Sequence, residues 1–292
     1  MKHRILLLCL VSIIALAAKN DKPAYRIFNN KGKTVSYQDM LETASKADII
    51  LFGESHTDPV CHWLEFELTK DLYELKGKHF VLGAEMFERD NQLLLDEYVS
   101  KKMIRKKDFE AEAKLWKNYT TDYAPIVDFA AEKGIRFVGT NVPRRYAALV
   151  NLSGFEGLDS INAYERALIA PLPIKYNPDL KSYKEMANMA GPSHSSPNIA
   201  KAQALKDATM AYFIMKNCGE GYTFLHFNGS YHSEDYEGIV WYLNDAIKRL
   251  EIPLKVMTIA TIDQDTIEDL KDEYKGKADF ILCTPSSLTR TN

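Results

Sequence analysis

The chain has 292 residues, 46% of them hydrophobic and 26% charged, with a formal net charge of −3. That is ample material for a large core, and acidic and basic residues are interspersed with no basic stripe, which argues against a nucleic-acid partner. No Gly-rich phosphate loop and no Gly-x-Ser-x-Gly elbow occurs, which disfavours nucleotide use and serine hydrolysis.

Lys2, His3 and Arg4 form a positive start, Ile5 to Leu16 is apolar, and Ala15-Leu16-Ala17 is a small-x-small cleavage pattern. The run is shorter than the roughly 20 residues of a spanning helix, so 1–17 reads as a signal peptide and the mature protein, 18–292, as exported to the periplasm or cell envelope. Lipidation at Cys9 is the lesser reading, because bulky Leu8 precedes that cysteine. Cys61, Cys218 and Cys283 remain after cleavage and, with no zinc-type spacing, read as three separate, mostly buried thiols.

Tyr25–Asn29 and Thr34–Tyr37, joined by a loop containing Gly32, predict a hairpin at the edge of the main sheet. A short helix over 37–46 leads to Ile49-Ile50-Leu51-Phe52, an unbroken apolar run suited to a strand buried on both faces. Asp58-Pro59 then reads as helix cap and first turn, and Val60, Leu64, Leu68, Leu72 and Leu75 recur at helical spacing up to Gly77. Residues 80–85 form a second strand ending in Glu85, which makes a strand–helix–strand unit and puts Glu54 and Glu85 on adjacent strand ends.

Helices are expected at 91–101, 108–116 and 123–133, then a third strand at 136–140 and a helix opened by Arg144 and Arg145. Between 151 and 198 the pattern loosens into short pieces with several prolines, a helical insertion or lid carrying Met186, Met189 and His194. A long helix (199–218), a strand (222–227), a helix (239–250) and strands at 254–259 and 278–283 complete an α/β domain with a mostly parallel central sheet flanked by helices.

One echo stands out. Gly53-Glu54-Ser55-His56 and Gly229-Ser230-Tyr231-His232 are both Gly-x-x-His, each directly after an apolar strand. Ligands of open α/β sheets bind at the carboxyl ends of strands, so Glu54, His56, Glu85 and His232 are expected to share one pocket, with each glycine allowing a sharp turn. His62, on the following helix, lies near the same rim.

The paired Gly-x-x-His motifs resemble the Tiki/TraB and erythromycin-esterase superfamily. More closely, GESHTDPVCH (53–62), EMF (85–87) followed by Gln92, DYAPIVDFA (122–130), NVPRR (141–145) and AQALKDATMA (202–211) resemble the ChaN-like haem-binding uptake proteins. The resemblance spans roughly 48–250 and implies an exported protein that binds haem and works with haem or iron uptake machinery. A homodimer is a further expectation. In that reading His56, His62, Tyr123, Arg144, Arg145, Gln203, Asp207, Tyr231 and His232 are candidates to hold haem: imidazole or phenolate for iron, guanidinium for propionates. The competing reading is a metal-dependent hydrolase with a divalent transition metal held by His56, His232, Glu54 and Glu85, one of the glutamates activating water.

Overall fold

The computed structural model describes residues 22–189 and 198–291. The expected signal peptide with Cys9, and His194 of the insertion, lie outside the described residues. Eight strands form one sheet: β1 (Arg26–Asn29), β2 (Thr34–Val35), β3 (Ile49–Glu54), β4 (Phe80–Glu88), β5 (Arg136–Asn141), β6 (Thr223–Gly229), β7 (Val256–Gln264) and β8 (Phe280–Pro285), in the order β2-β1-β8-β7-β3-β6-β4-β5. β3 to β8 are mutually parallel, while β1 runs antiparallel to β8 and closes one edge as a hairpin with β2.

The parallel strands are buried on both faces because helices cover both. Side chains alternate across the sheet. Ile50, Phe52 and Leu82 face the helices Tyr37–Ala44, Pro59–Lys76 and Ala124–Lys133. Ile49, Leu51 and Val81 face the helices Ile199–Asn217 and Ile239–Leu250. Each expected central strand is present, and several run further at the carboxyl end, so Glu54 is the last residue of β3 rather than on the turn that follows, and Glu85 lies inside β4 rather than at its end.

Two expectations need correction. β6 lies between β3 and β4, so the strands of Glu54 and Glu85 are not neighbours. Instead the two Gly-x-x-His strands pair directly, with Glu54 opposite Gly229. The helix expected at 108–116 is Lys106–Glu112, which frees Trp116 to leave the helix.

Asp58 caps the long helix as read: its Oδ1 accepts from the Val60 and Cys61 amides at 2.9 and 3.0 Å. The three cysteines are free thiols. The described part of the insertion, 151–189, is packed rather than loose. Leu158, Ile161 and Ile169 build a small core with Tyr146, Val150 and Leu205, and Tyr183 is buried in a separate cluster with Ala200 and Ala204.

Candidate functional site

Because β3 to β8 are parallel, their carboxyl ends share one edge of the sheet, and two carboxylate–imidazole pairs stand there. The alternation that splits the core also splits the pairs. Glu54 follows Ile50 and Phe52 on one face, whereas Glu85 follows Val81 on the other.

On the first face Glu54 Oε1 accepts from His56 Nδ1 at 2.7 Å and from the Tyr123 hydroxyl at 2.6 Å. Burial opposes charging His56, yet the hydrogen bond and charge of Glu54 outweigh it and raise its pKa above the ordinary histidine value. The His56 side chain is 40% exposed and lines the cleft, and with Nδ1 committed to Glu54 its Nε2, beside Gly229, is the nitrogen left for a ligand. Trp116 packs edge-on against the His56 ring, 4.9 Å between centroids. Tyr123 is buried, and burial with the nearby Glu54 carboxylate keeps its hydroxyl protonated at any ordinary pH.

Behind this pair, His62 is buried rather than on the rim. Its Nδ1 lies 2.9 Å from Glu65 Oε2, and its Nε2 lies 3.1 Å from the His56 carbonyl and 3.5 Å from Asp122. Burial works against its charge, but Glu65 and Glu54 win and push its pKa up to about 10. Burial, and then the charge of Glu54, raise Glu65 well above the carboxylate range.

On the second face His232 is held at both ring nitrogens: Nε2 lies 3.1 Å from Glu85 Oε1, and Nδ1 meets Asp207. Burial alone would neutralise it, but the Glu85 and Asp207 carboxylates push its pKa up to about 10. His232 is therefore an imidazolium, and it holds Glu85 well below the carboxylate range although that group is buried. Gln203 brings its side-chain amide to 3.0 Å from the His232 ring, and Asp207 accepts from Tyr183 at 2.8 Å. Gln203 and Asp207 thus do share a helix face, and that face grips His232.

Both pairs meet at Gly229, the last residue of β6. Its amide donates to Glu85 Oε2 at 2.9 Å. A Cβ on Gly229 would lie 2.8 Å from His56 Nε2, and one on Gly53 would lie 2.8 Å from the Ile259 carbonyl. Neither glycine has a positive φ. The motif glycines are there for close approach, not for a sharp turn as the sequence suggested.

A cleft of about 930 Å³ opens at this edge. His56, Glu85 and His232 line it, with Glu54 one layer behind His56. Trp116, Leu115 and Val142 make its apolar wall, and Lys117, Arg144 and Lys206 its cations. Arg144 pairs with Glu88 across the rim. Arg145 pairs with Asp90 and stacks on Tyr146 away from the cleft, and Tyr231 points to Glu185.

Trp116, Lys117, Lys206 and Glu65 were not singled out from the sequence. Only Glu65 carried a signal: a charge among Cys61, Leu64, Leu68 and Leu72 on the buried face of its helix, three residues after His62.

The family model described as haem-binding uptake, Tiki superfamily, ChaN matches residues 40–243. The chain belongs to the ChaN family. Among solved structures, ChaN of Campylobacter jejuni, described with cofacial haem binding, superposes at a TM-score of 0.67 with 18% identity, covering 90% of this chain and 97% of that one. The type III effector HopBA1 matches at 0.46 with 12% identity, over 84% and 91% of the two chains. A Bacillus cereus protein matches at 0.46 with 11% identity, over 90% and 95%. No curated protein matches this sequence. Membership in the ChaN family makes haem the ligand to test against this cleft, and the donor set fits: one imidazole with a nitrogen facing the opening, an aromatic wall and a rim of cations.

Proposed function

We propose that this ChaN-family protein is exported to the periplasm or cell envelope, binds haem in the Trp116 cleft and passes it to or from the haem-uptake machinery. The observation that carries the reading is the state of His56. His226 and His232 have both ring nitrogens engaged and His62 is buried behind His56 outside the cleft lining, so among the described residues that line the cleft His56 alone can turn an imidazole nitrogen to iron. Glu54 on its Nδ1 fixes the tautomer that presents Nε2, the arrangement common to metal-ligating histidines.

Trp116, Leu115 and Val142 supply the apolar wall a macrocycle needs, and a volume of this order suits a cofactor site. Lys117 and Lys206 have no carboxylate partner among the described residues, which leaves them for propionates, while Arg144 is shared with Glu88. Haem supplies an iron centre when bound, and the protein's part is to orient His56, cover the ring and neutralise the propionates. Support for export comes from the 1–17 pattern.

The test is a haem titration of the purified mature chain. A saturable shift of the Soret band in wild type, weakened in His56→Ala, is expected. Absence of any saturable shift overturns the proposal. Mass spectrometry of protein from its own host checks export, with an N-terminus near Ala18 expected and retained Met1 refuting it.

A further inference from the structure

Behind His56 the two carboxylates Glu54 and Glu65 are both buried, and each leaves one oxygen without a hydrogen-bond partner: Glu54 Oε2 and Glu65 Oε1. A ligating atom from each of Glu54, His62 and Glu65 lies within 4.8 Å of the others. We propose that these three side chains hold one divalent transition-metal ion, a site separate from the haem cleft.

The fold builds the site from two rigid elements. His62 and Glu65 are three apart on one face of the helix Pro59–Lys76, and Glu54 is the last residue of β3 beneath that face. Among the described residues no lysine or arginine pairs with either glutamate, and imidazoles are their countercharge. Bringing buried like charges together is costly, and a divalent ion offsets both at once.

His62 is already oriented for the task. The ring keeps its Nε2 proton, donated to the His56 carbonyl and toward Asp122, and the incoming ion displaces the Nδ1 proton that faces Glu65 to solvent, which frees the Nδ1 lone pair. Asn118 holds both acceptors in place, donating to the His56 carbonyl at 2.8 Å and to Asp122 at 2.7 Å. Two carboxylate oxygens with one imidazole suit Mn²⁺, Fe²⁺ or Zn²⁺ and not a thiolate-seeking ion. Since Glu54 gives its other oxygen to His56, the ion sits one carboxylate behind the residue that faces the cleft.

The experiment uses the full chain, stripped with chelator and titrated with Co²⁺ as a visible-absorption probe, then with Mn²⁺, Fe²⁺ and Zn²⁺ followed by melting temperature. One equivalent of Co²⁺ with d–d bands is expected, retained in Arg145→Met, whose side chain is turned to Asp90 and Tyr146, and weakened at least tenfold in Glu65→Gln. Circular dichroism confirms that Glu65→Gln folds, and the wild-type titration stands without it. No saturable Co²⁺ spectrum and no melting shift with any of the ions overturns the site and leaves a proton shared between the carboxyls. Bands that persist unchanged in Glu65→Gln overturn it as well. Haem binding is read separately at the Soret band, so either proposal can fail alone.

Discussion

Replacing Gly229 by alanine tests the contact on which the two carboxylate–imidazole pairs converge. The new Cβ would stand 2.8 Å from His56 Nε2 and 2.9 Å from its Cε1, against 3.6 Å from Glu85. The backbone there is ordinary, with φ −54° and ψ 139°, so alanine brings no strain of its own. His56 must retreat by roughly 0.6 Å to reach ordinary contact, and its partly exposed ring can move where a core side chain could not. That movement pulls against the 2.7 Å bond to Glu54. A charge-assisted hydrogen bond is worth about 1.5–3 kcal/mol, or roughly 10- to 150-fold in affinity. Haem affinity of Gly229→Ala should fall within that range, and the His56 pKa measured by NMR should drop toward 6.5, while the melting temperature changes little. Gly53→Ala is the contrast. Its Cβ would meet the Ile259 carbonyl at 2.8 Å and Ser230 Cα at 3.0 Å, which are backbone atoms of a buried sheet, so it should lose stability first. Wild-type haem affinity in Gly229→Ala, or wild-type stability in Gly53→Ala, would refute the reasoning.

Haem affinity should rise with pH, since a proton on Nε2 competes with iron and the His56 pKa is raised; a Soret titration between pH 5 and 9 that shows no slope removes His56 as ligand. Stability should fall on both sides of neutrality. The His232 contribution is complete below its unfolded pKa near 6.5 and is lost as pH climbs through about 10, whereas that of depressed Glu85 is present above 4.5 and is lost in acid; His232→Gln should flatten the alkaline limb of a denaturation series. Among the cations, half-buried Lys206→Met should weaken haem by about tenfold, near 1.5 kcal/mol. Exposed Lys117→Met should cost roughly 0.2–1 kcal/mol, and Arg145→Met nothing, because Asp90 and Tyr146 already occupy it. The reverse ranking in isothermal titration would show that propionates lie elsewhere. Asp58→Ala should lower stability by about 0.5–2 kcal/mol through the lost cap, and further because Arg290 is left without its buried partner; chemical denaturation reads both.

Much was legible in the chain because the signals are local. Runs such as Ile49–Phe52 mark strands buried on both faces, Asp58-Pro59 opens a helix, and two Gly-x-x-His segments after such strands mark one functional edge. The motif spacing that pointed to ChaN-like proteins is likewise a property of sequence order, and the match over 40–243 agrees with it. Strand order is not local. That β6 enters between β3 and β4 depends on how long crossovers pack, and this insertion is what sets Glu54 beside Gly229 instead of beside Glu85.

The alternation of side chains then assigns Glu54 and Glu85 to opposite faces, each with its own histidine. An imidazole looks the same in sequence whether both nitrogens are taken, as in His232, or one faces a cleft, as in His56; only the neighbours brought by distant elements distinguish them. Trp116, Lys206 and Glu65 carry their meaning from such neighbours too. Composition and periodicity thus determine elements and their buried faces through bonds of a few residues' range. The order of strands, the reason for each glycine and the choice of exposed ligand come from contacts between residues far apart in the chain, and those exist only once the sheet has closed.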